Sequence, residues 1–136
     1  MLTPLRGPDS SAPVFVRPLR AYAHPVRFLD FLLSDTIHAV VVARHGIVVN
    51  VPDPARFALH KLVLSERRGV REQLKSEKDR MQAQQVLEIL AEERPGDVIL
   101  AGDAVRDMPK KVQQQLMVGT NLLPWRARSA VLDLVQ

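Results

Sequence analysis

The segment from Val51 to Arg68, VPDPARFALHKLVLSERR, constrains the fold of this chain more than any other. Asp53 followed by Pro54 is typical of a helix start, because an aspartate side chain caps free backbone N–H groups and proline fits the first helical position. The apolar residues that follow recur at helical spacing and are Ala55, Ala58, Leu59, Leu62 and Val63. This pattern predicts a strand that leads into Asp53 and an amphipathic helix that runs to about Arg68.

A second long helix is predicted from about Arg71 to Glu93, because the Arg94-Pro95-Gly96 break ends it. Its inward-facing apolar residues are Ala83, Val86, Leu87 and Leu90. Asp79 extends this apolar face, and an unpaired carboxylate in such a position is costly. We therefore predict a polar clamp between the two helices, formed by Lys75, Lys78 and Asp79. Lys75, one turn earlier, is one available partner of the carboxylate, and Lys61 or Arg68 on the first helix are others. A catalytic role for Asp79 is the alternative.

Cations for that clamp, or for a ligand, are concentrated on the first long helix. Lys61, Ser65 and Arg68 share one stripe, and a neighbouring stripe contains His60, Leu64, Arg67 and Arg71. Such groups can hold a phosphate chain, since an arginine binds two oxygens at once. A solvated face that pairs with acids of the next helix is the alternative, and His60 fits either a phosphate contact or a hydrogen bond between helices.

Shorter elements are predicted before the helix pair. Pro25 suits the first position of a short helix. The apolar runs Ala39–Val42 and Ile47–Val51 flank Arg44-His45-Gly46, and they predict a hairpin in which the glycine supplies the positive φ. With strands early and helices late, the fold class is α+β: a small, mostly antiparallel sheet with a β-hairpin, packed by two long helices, and a helical C-terminal region.

Composition sets the domain organisation and the classes of partner. Residues 1–13 are rich in Pro, Gly and Ser and are predicted to be a flexible segment, followed by a single domain over residues 14–136. The net charge of +4 permits nucleotide or nucleic acid as a partner. The absence of cysteine excludes disulfides and thiolate metal sites. With no membrane-length apolar run and no signal core, we expect no membrane association and a cytoplasmic location.

Motifs for metal binding and catalysis are missing from the sequence. The histidines form no His-x-x-x-His or His-x-His pair, and no glycine-rich phosphate loop or Gly-x-Ser-x-Gly is present. A two-metal site needs two carboxylates on one face of a strand. Glu77-x-Asp79 has that spacing, but on a helix these side chains diverge by about 200°. We therefore predict no catalytic residue, no metal site and no cofactor in this chain.

The order of motifs nevertheless resembles a known superfamily. A strand, Val-Pro-Asp-Pro, a helix with His60-Lys61-Leu62 and Arg67-Arg68, and then Lys78-Asp79 with a leucine-rich helix are similar to bacterial nucleotidyltransferase-fold proteins of the polymerase-β-like superfamily. The chain resembles a nucleotidyltransferase-like family over roughly residues 20–100, and more distantly the abortive-infection nucleotidyltransferase toxins.

This resemblance implies that Lys61 with Arg67 or Arg68 neutralises phosphates and that Asp79 positions a helix or a basic residue. The superfamily also has a Gly-Ser turn and an Asp-x-Asp or Asp-x-Glu pair that binds two metals, and this sequence has neither. The chain therefore resembles the C-terminal portion of such a domain. Mg²⁺ is expected only if a partner chain supplies the acidic pair.

These observations lead to one main hypothesis and two alternatives. The main hypothesis is a nucleotidyltransferase-like protein that binds nucleotide, phosphate or nucleic acid through His60, Lys61, Arg67 and Arg68 without catalysing transfer alone. The first alternative is an active nucleotidyltransferase whose acids come from an upstream partner chain or a homo-oligomer. The second is a protein-interaction module in which the basic stripe pairs with acids at an interface.

Overall fold

The computed structural model describes residues 1–7, 12–69 and 72–132. The first part of the described chain forms strands and two short helices: β1 (Leu2–Pro4), β2 (Val14–Val16), a 3-10 turn (Arg17–Leu19), β3 (Ala21–Val26), α1 (Leu29–Leu33), β4 (Thr36–Ala43) and β5 (His45–Pro52). The second part is helical: α2 (Pro54–Ser65), α3 (Gln73–Glu93), α4 (Pro95–Arg106), α5 (Lys110–Asn121) and α6 (Trp125–Leu132). The predicted α+β class with a helical C-terminal region is confirmed.

The strands form two small sheets. In the first, β3 lies between β1, with which it is parallel, and β2, with which it is antiparallel. The second is the predicted hairpin of β4 and β5, paired from Thr36 opposite Pro52 to Ala43 opposite His45. The hairpin is confirmed, but its positive φ of 48° belongs to Arg44 and not to Gly46.

The start of α2 forms as its sequence predicts. The Asp53 carboxylate accepts hydrogen bonds from the backbone N–H groups of Ala55, at 2.9 Å, and Arg56, at 3.0 Å. These bonds satisfy two of the N–H groups that a helix start leaves without intrahelical partners. The helix ends at Ser65, so Arg67 and Arg68 lie beyond its last turn in the connection to α3. Arg71, the predicted start of the next helix, lies outside the described residues.

Pro25 does not start a helix; it lies in β3 opposite Thr3 of β1. The backbone N–H of His24 and the carbonyl of Val26 bond toward β1, so residue 25 faces the other side, where β2 pairs only as far as Ala23. The missing N–H of proline therefore leaves no ladder hydrogen bond unmade. Strand β1 was not predicted; it lies within the segment predicted to be flexible.

The hydrophobic core lies among the helices, and the sheets are peripheral to it. Buried apolar residues come from every helix from α2 to α6; the fully buried ones with the largest side chains are Leu59, Leu62, Leu87, Val98 and Val131. Helices α5 and α2 lie close together at Gly119 of α5, where an added Cβ would lie 3.0 Å from the carbonyl oxygen of Leu62 in α2. Across the described ranges, none of the helices is long and apolar enough to cross a bilayer.

We predict that Gly119→Ala destabilises the fold by about 1–3 kcal/mol, because the backbone of α2 blocks the added methyl group. Gly96→Ala is the matched control. Gly96 lies in the first turn of α4 with no atom within 4 Å of an added Cβ, so alanine there should stabilise by about 0.5 kcal/mol. Urea unfolding measures both changes. Equal effects of the two substitutions would contradict the close approach of α5 to α2.

Candidate functional site

The Asp79 carboxylate is the centre of the polar contacts between α2 and α3. One oxygen, Oδ1, accepts a hydrogen bond from Lys61 Nζ at 2.7 Å. The other, Oδ2, accepts from Arg68 Nε at 3.0 Å and forms an ion pair with a terminal nitrogen of the same guanidinium at 2.8 Å. The Asp79 side chain is 6% exposed, whereas those of Lys61 and Arg68 are 22% and 25% exposed. The carboxylate is thus buried, and its two cations reach it from the protein surface.

Local structure explains why these three groups meet. Lys61 lies in the middle of α2 and Arg68 in the connection that follows it, while Asp79 lies in the second turn of α3. Ser76, one turn before Asp79, donates a hydrogen bond to the backbone carbonyl of Ser65 at 2.9 Å. This bond fixes the start of α3 against the end of α2, so the Asp79 side chain faces both cations.

The lysines predicted to share the clamp with Asp79 lie elsewhere. Lys75 pairs with Glu72 at 2.9 Å on the exposed first turn of α3, where its hydrogen bond lowers the pKa of the Glu72 carboxyl. Lys78 is exposed and forms no ion pair within the described residues. Successive side chains on a helix point in different directions, so Lys78 cannot follow Asp79 into the helix interface.

His60 is buried rather than available to a ligand. The residue is 4% exposed, and its Nε2 lies 2.7 Å from the backbone carbonyl oxygen of Arg27. Since a carbonyl only accepts, Nε2 carries the proton and donates it. Burial lowers the pKa of the imidazole below its ordinary value, which favours the neutral ring at pH 7. His60 therefore joins α2 to the segment between β3 and α1, so its hydrogen bond is not one between two helices.

A cleft of about 470 Å³ opens between the end of β3, the end of α2 and the start of α3. Four cationic side chains and one carboxylate line it, those of Arg27, Arg67, Arg68, Lys75 and Glu72. Its other walls are formed by Leu5, His24, Pro25, Val26 and Leu64. Two of the four predicted phosphate-binding residues, Arg67 and Arg68, thus line this cleft, whereas His60 and Lys61 do not. Lys75, which was predicted for the clamp, lines it as well.

The arginines of this cleft are held by neighbouring groups. The guanidinium of Arg67 lies over the ring of Phe28, 5.8 Å from its centroid, and donates to the side-chain oxygen of Gln115 at 3.3 Å. Arg27 donates to the backbone carbonyl of Gly7, which ties the strand end to the N-terminal segment. These contacts limit the rotamers of both long side chains, and ordering them in advance lowers the entropic cost of binding an anion.

Sequence reasoning missed Arg27 and His24. Both lie in or next to β3, whereas Pro25 indicated the start of a short helix at this segment. The signal that could have placed them is the alternation along Ala21–Val26, in which Ala23 and Pro25 are buried while Tyr22 and His24 are exposed. This period of two is typical of a strand with one buried face.

The acids offer little to a metal ion. Within residues 1–7, 12–69 and 72–132, no three histidine or acidic side chains are close enough together to hold one. Glu72 is the carboxylate in the cleft, and the Asp79 oxygens already accept from Lys61 and Arg68. The cleft is thus better suited to an anion, which its cationic side chains can neutralise and orient, than to a metal ion.

We predict that Asp79→Ala lowers the free energy of unfolding by about 3 kcal/mol, since it leaves two cations beside a buried cavity without their carboxylate. Glu72→Ala removes a carboxylate from an exposed pair and should leave stability nearly unchanged. Urea unfolding of both variants and of the unchanged protein tests this. A near-neutral Asp79→Ala would contradict a structural role for these ion pairs.

Comparison with known proteins identifies the family of this chain. A family model described as nucleotidyltransferase matches residues 1–106, which span both sheets, α1 to α4 and all the residues that line the cleft. Searches of curated proteins and of solved structures gave no match. Because the family model covers more than half of the chain, the chain belongs to this nucleotidyltransferase family.

Proposed function

We propose that this protein binds the phosphate groups of a nucleotide or nucleic acid in the basic cleft and does not catalyse nucleotidyl transfer on its own. The observation that carries the proposal is the convergence of four cationic side chains on the cleft, those of Arg27, Arg67, Arg68 and Lys75. Phosphate is the anion whose charge and oxygen geometry suit several arginines at once.

Each cation has a distinct part in this proposal. Arg68 is engaged by Asp79 through Nε and one terminal nitrogen, so its remaining charge adds to the field of the cleft more than to direct contacts. Arg67 and Arg27 offer planar guanidinium groups that are already positioned. Lys75 is paired with Glu72 on the surface, where such pairs are weak, and a phosphate can replace the carboxylate as its partner.

In this proposal His60 and Lys61 do not contact the ligand but hold groups that line the cleft. Lys61 shares the Asp79 carboxylate with Arg68, and His60 holds the backbone of Arg27 through its carbonyl. Loss of either group would disturb ligand binding by moving Arg68 or Arg27. Their substitution therefore tests folding more than recognition, and the cleft is better tested at Lys75.

The reason to propose no transfer by this chain alone is the missing pair of metal-binding acids. Two-metal transfer requires carboxylates that clamp the ions at the attacking and leaving oxygens. No Asp-x-Asp or Asp-x-Glu pair occurs in the sequence. A partner chain that supplies such a pair would bring Mg²⁺ to a nucleotide whose phosphates are held by Arg27, Arg67 and Lys75.

We predict that Lys75→Ala weakens binding of a labelled single-stranded RNA. The plot of log affinity against log salt has a negative slope, and its magnitude should fall by about 0.7, the value for one lost phosphate contact. Lys78→Ala is the matched control, since Lys78 is an exposed lysine of the same helix outside the cleft. Fluorescence anisotropy over a salt series measures both slopes. Equal losses in the two variants would indicate diffuse attraction and contradict a defined cleft.

Transfer is tested with the same preparation. The protein alone, incubated with labelled nucleoside triphosphates, Mg²⁺ or Mn²⁺ and the RNA, should give no incorporation. Incorporation that is lost in Lys75→Ala and kept in Lys78→Ala would overturn the non-catalytic part of the proposal and support the active alternative. Inorganic triphosphate as a competitor separates nucleotide recognition from simple anion binding.

A further inference from the structure

The outer half of the β4–β5 hairpin exposes apolar side chains on both faces. Val40, Val42 and Val48 lie on one face, and Val41 and Ile47 lie on the other. Their exposures run from 49% at Val41 to 87% at Val42. Scattered apolar residues are normal on a surface, but these five cluster on one hairpin, three on one face and two on the other.

The hairpin also has a free strand edge. Within the described residues β4 pairs only with β5, and the base of β5 contacts α1. The outer edge of β4 therefore presents backbone N–H and C=O groups to solvent. Proteins usually protect such edges with charged residues, especially lysine, or with proline. No proline, lysine, arginine, aspartate or glutamate occurs from Thr36 to Ala43. A two-stranded hairpin is marginally stable by itself, so a further strand would stabilise it.

The charges at the two ends of β4 indicate which strand fits. Asp35 precedes the strand and Arg44 follows it, so the eight residues between them are flanked by opposite charges. Both residues are exposed, and among the described residues neither side chain forms an ion pair. A second copy of β4 in the antiparallel direction has the complementary order of charges.

We propose that β4 pairs antiparallel with β4 of a second copy of this chain, so that two hairpins form one four-stranded sheet. Paired residues share a face of the sheet, so the twofold axis passes midway between two copies of the same residue, and Val40 is the middle choice. This register places Arg44 opposite Thr36 of the partner subunit, one residue from the Asp35 that precedes it. Both ends of the interface gain an attraction, whereas parallel pairing would place like charges together. The interface closes on itself and forms a dimer.

The Val40→Lys variant tests the register directly. It places two ammonium groups opposite each other across the twofold axis, which destabilises an antiparallel pair. Val48→Lys is the matched control, since Val48 is the cross-strand neighbour of Val40 in the same hairpin and is 65% exposed against 62%. In the four-stranded sheet the two Val48 side chains are three strand spacings apart, about 14 Å. Both lysines face solvent in a single copy, so both variants should fold.

Sedimentation equilibrium over a range of concentrations gives the masses. The unchanged protein and Val48→Lys should sediment at twice the chain mass of 15.3 kDa, and Val40→Lys at 15.3 kDa. Asp35→Arg should weaken the dimer, and the charge swap Asp35→Arg with Arg44→Asp should restore it. A monomer at every concentration, equal effects of the two lysines, or a charge swap no better than Asp35→Arg alone would each overturn the proposal.

Discussion

The buried Asp79 carboxylate is the interaction on which the rest of the site depends. It accepts from Lys61 and from Arg68, which lie on either side of the C-terminal end of α2, and so it fixes both the helix and the connection to α3. A buried ion pair is weak evidence for net stability, because desolvation offsets its attraction. The specific consequence of this ion pair is geometric. With Arg68 held, the neighbouring Arg67 lines the cleft, and its guanidinium lies over the ring of Phe28.

The same interaction divides the cations into two groups. Lys61 and Arg68 bind the buried Asp79 carboxylate, whereas Arg27, Arg67 and Lys75 do not contact it; Arg68 also lines the cleft with these three residues. A cluster of basic residues that looks uniform in the sequence therefore includes two cations engaged by Asp79. The proposed phosphate contacts come from the other three, and a nucleotide phosphate is the ligand to test.

Local signals in the sequence were sufficient for some parts of the fold and not for others. The Asp53 cap, the hairpin and the two long helices were predicted because their hydrogen bonds connect residues close in sequence. The strand β1 was not, because its three residues pair in parallel with β3 some twenty positions away and only tertiary pairing defines them. Arg67 and Arg68, both predicted to bind phosphate, line the cleft, but placing Arg27 depended on recognising β3. Lys61 and Arg68 were among the partners predicted for Asp79, and the choice between them and Lys75 depended on the angle between α2 and α3.

The most direct test of this account is an NMR titration with inorganic triphosphate that follows the Nε–H signals of the arginines, assigned with Arg→Lys variants. The division of cations predicts that the signal of Arg67 shifts with ligand, while that of Arg68, bonded to Asp79 at 3.0 Å, keeps its position. A shift at Arg68 as large as at Arg67 would mean that the ligand displaces the Asp79 carboxylate. No shift at Arg67 would mean that the cleft does not bind phosphate. Either result would contradict the central claim.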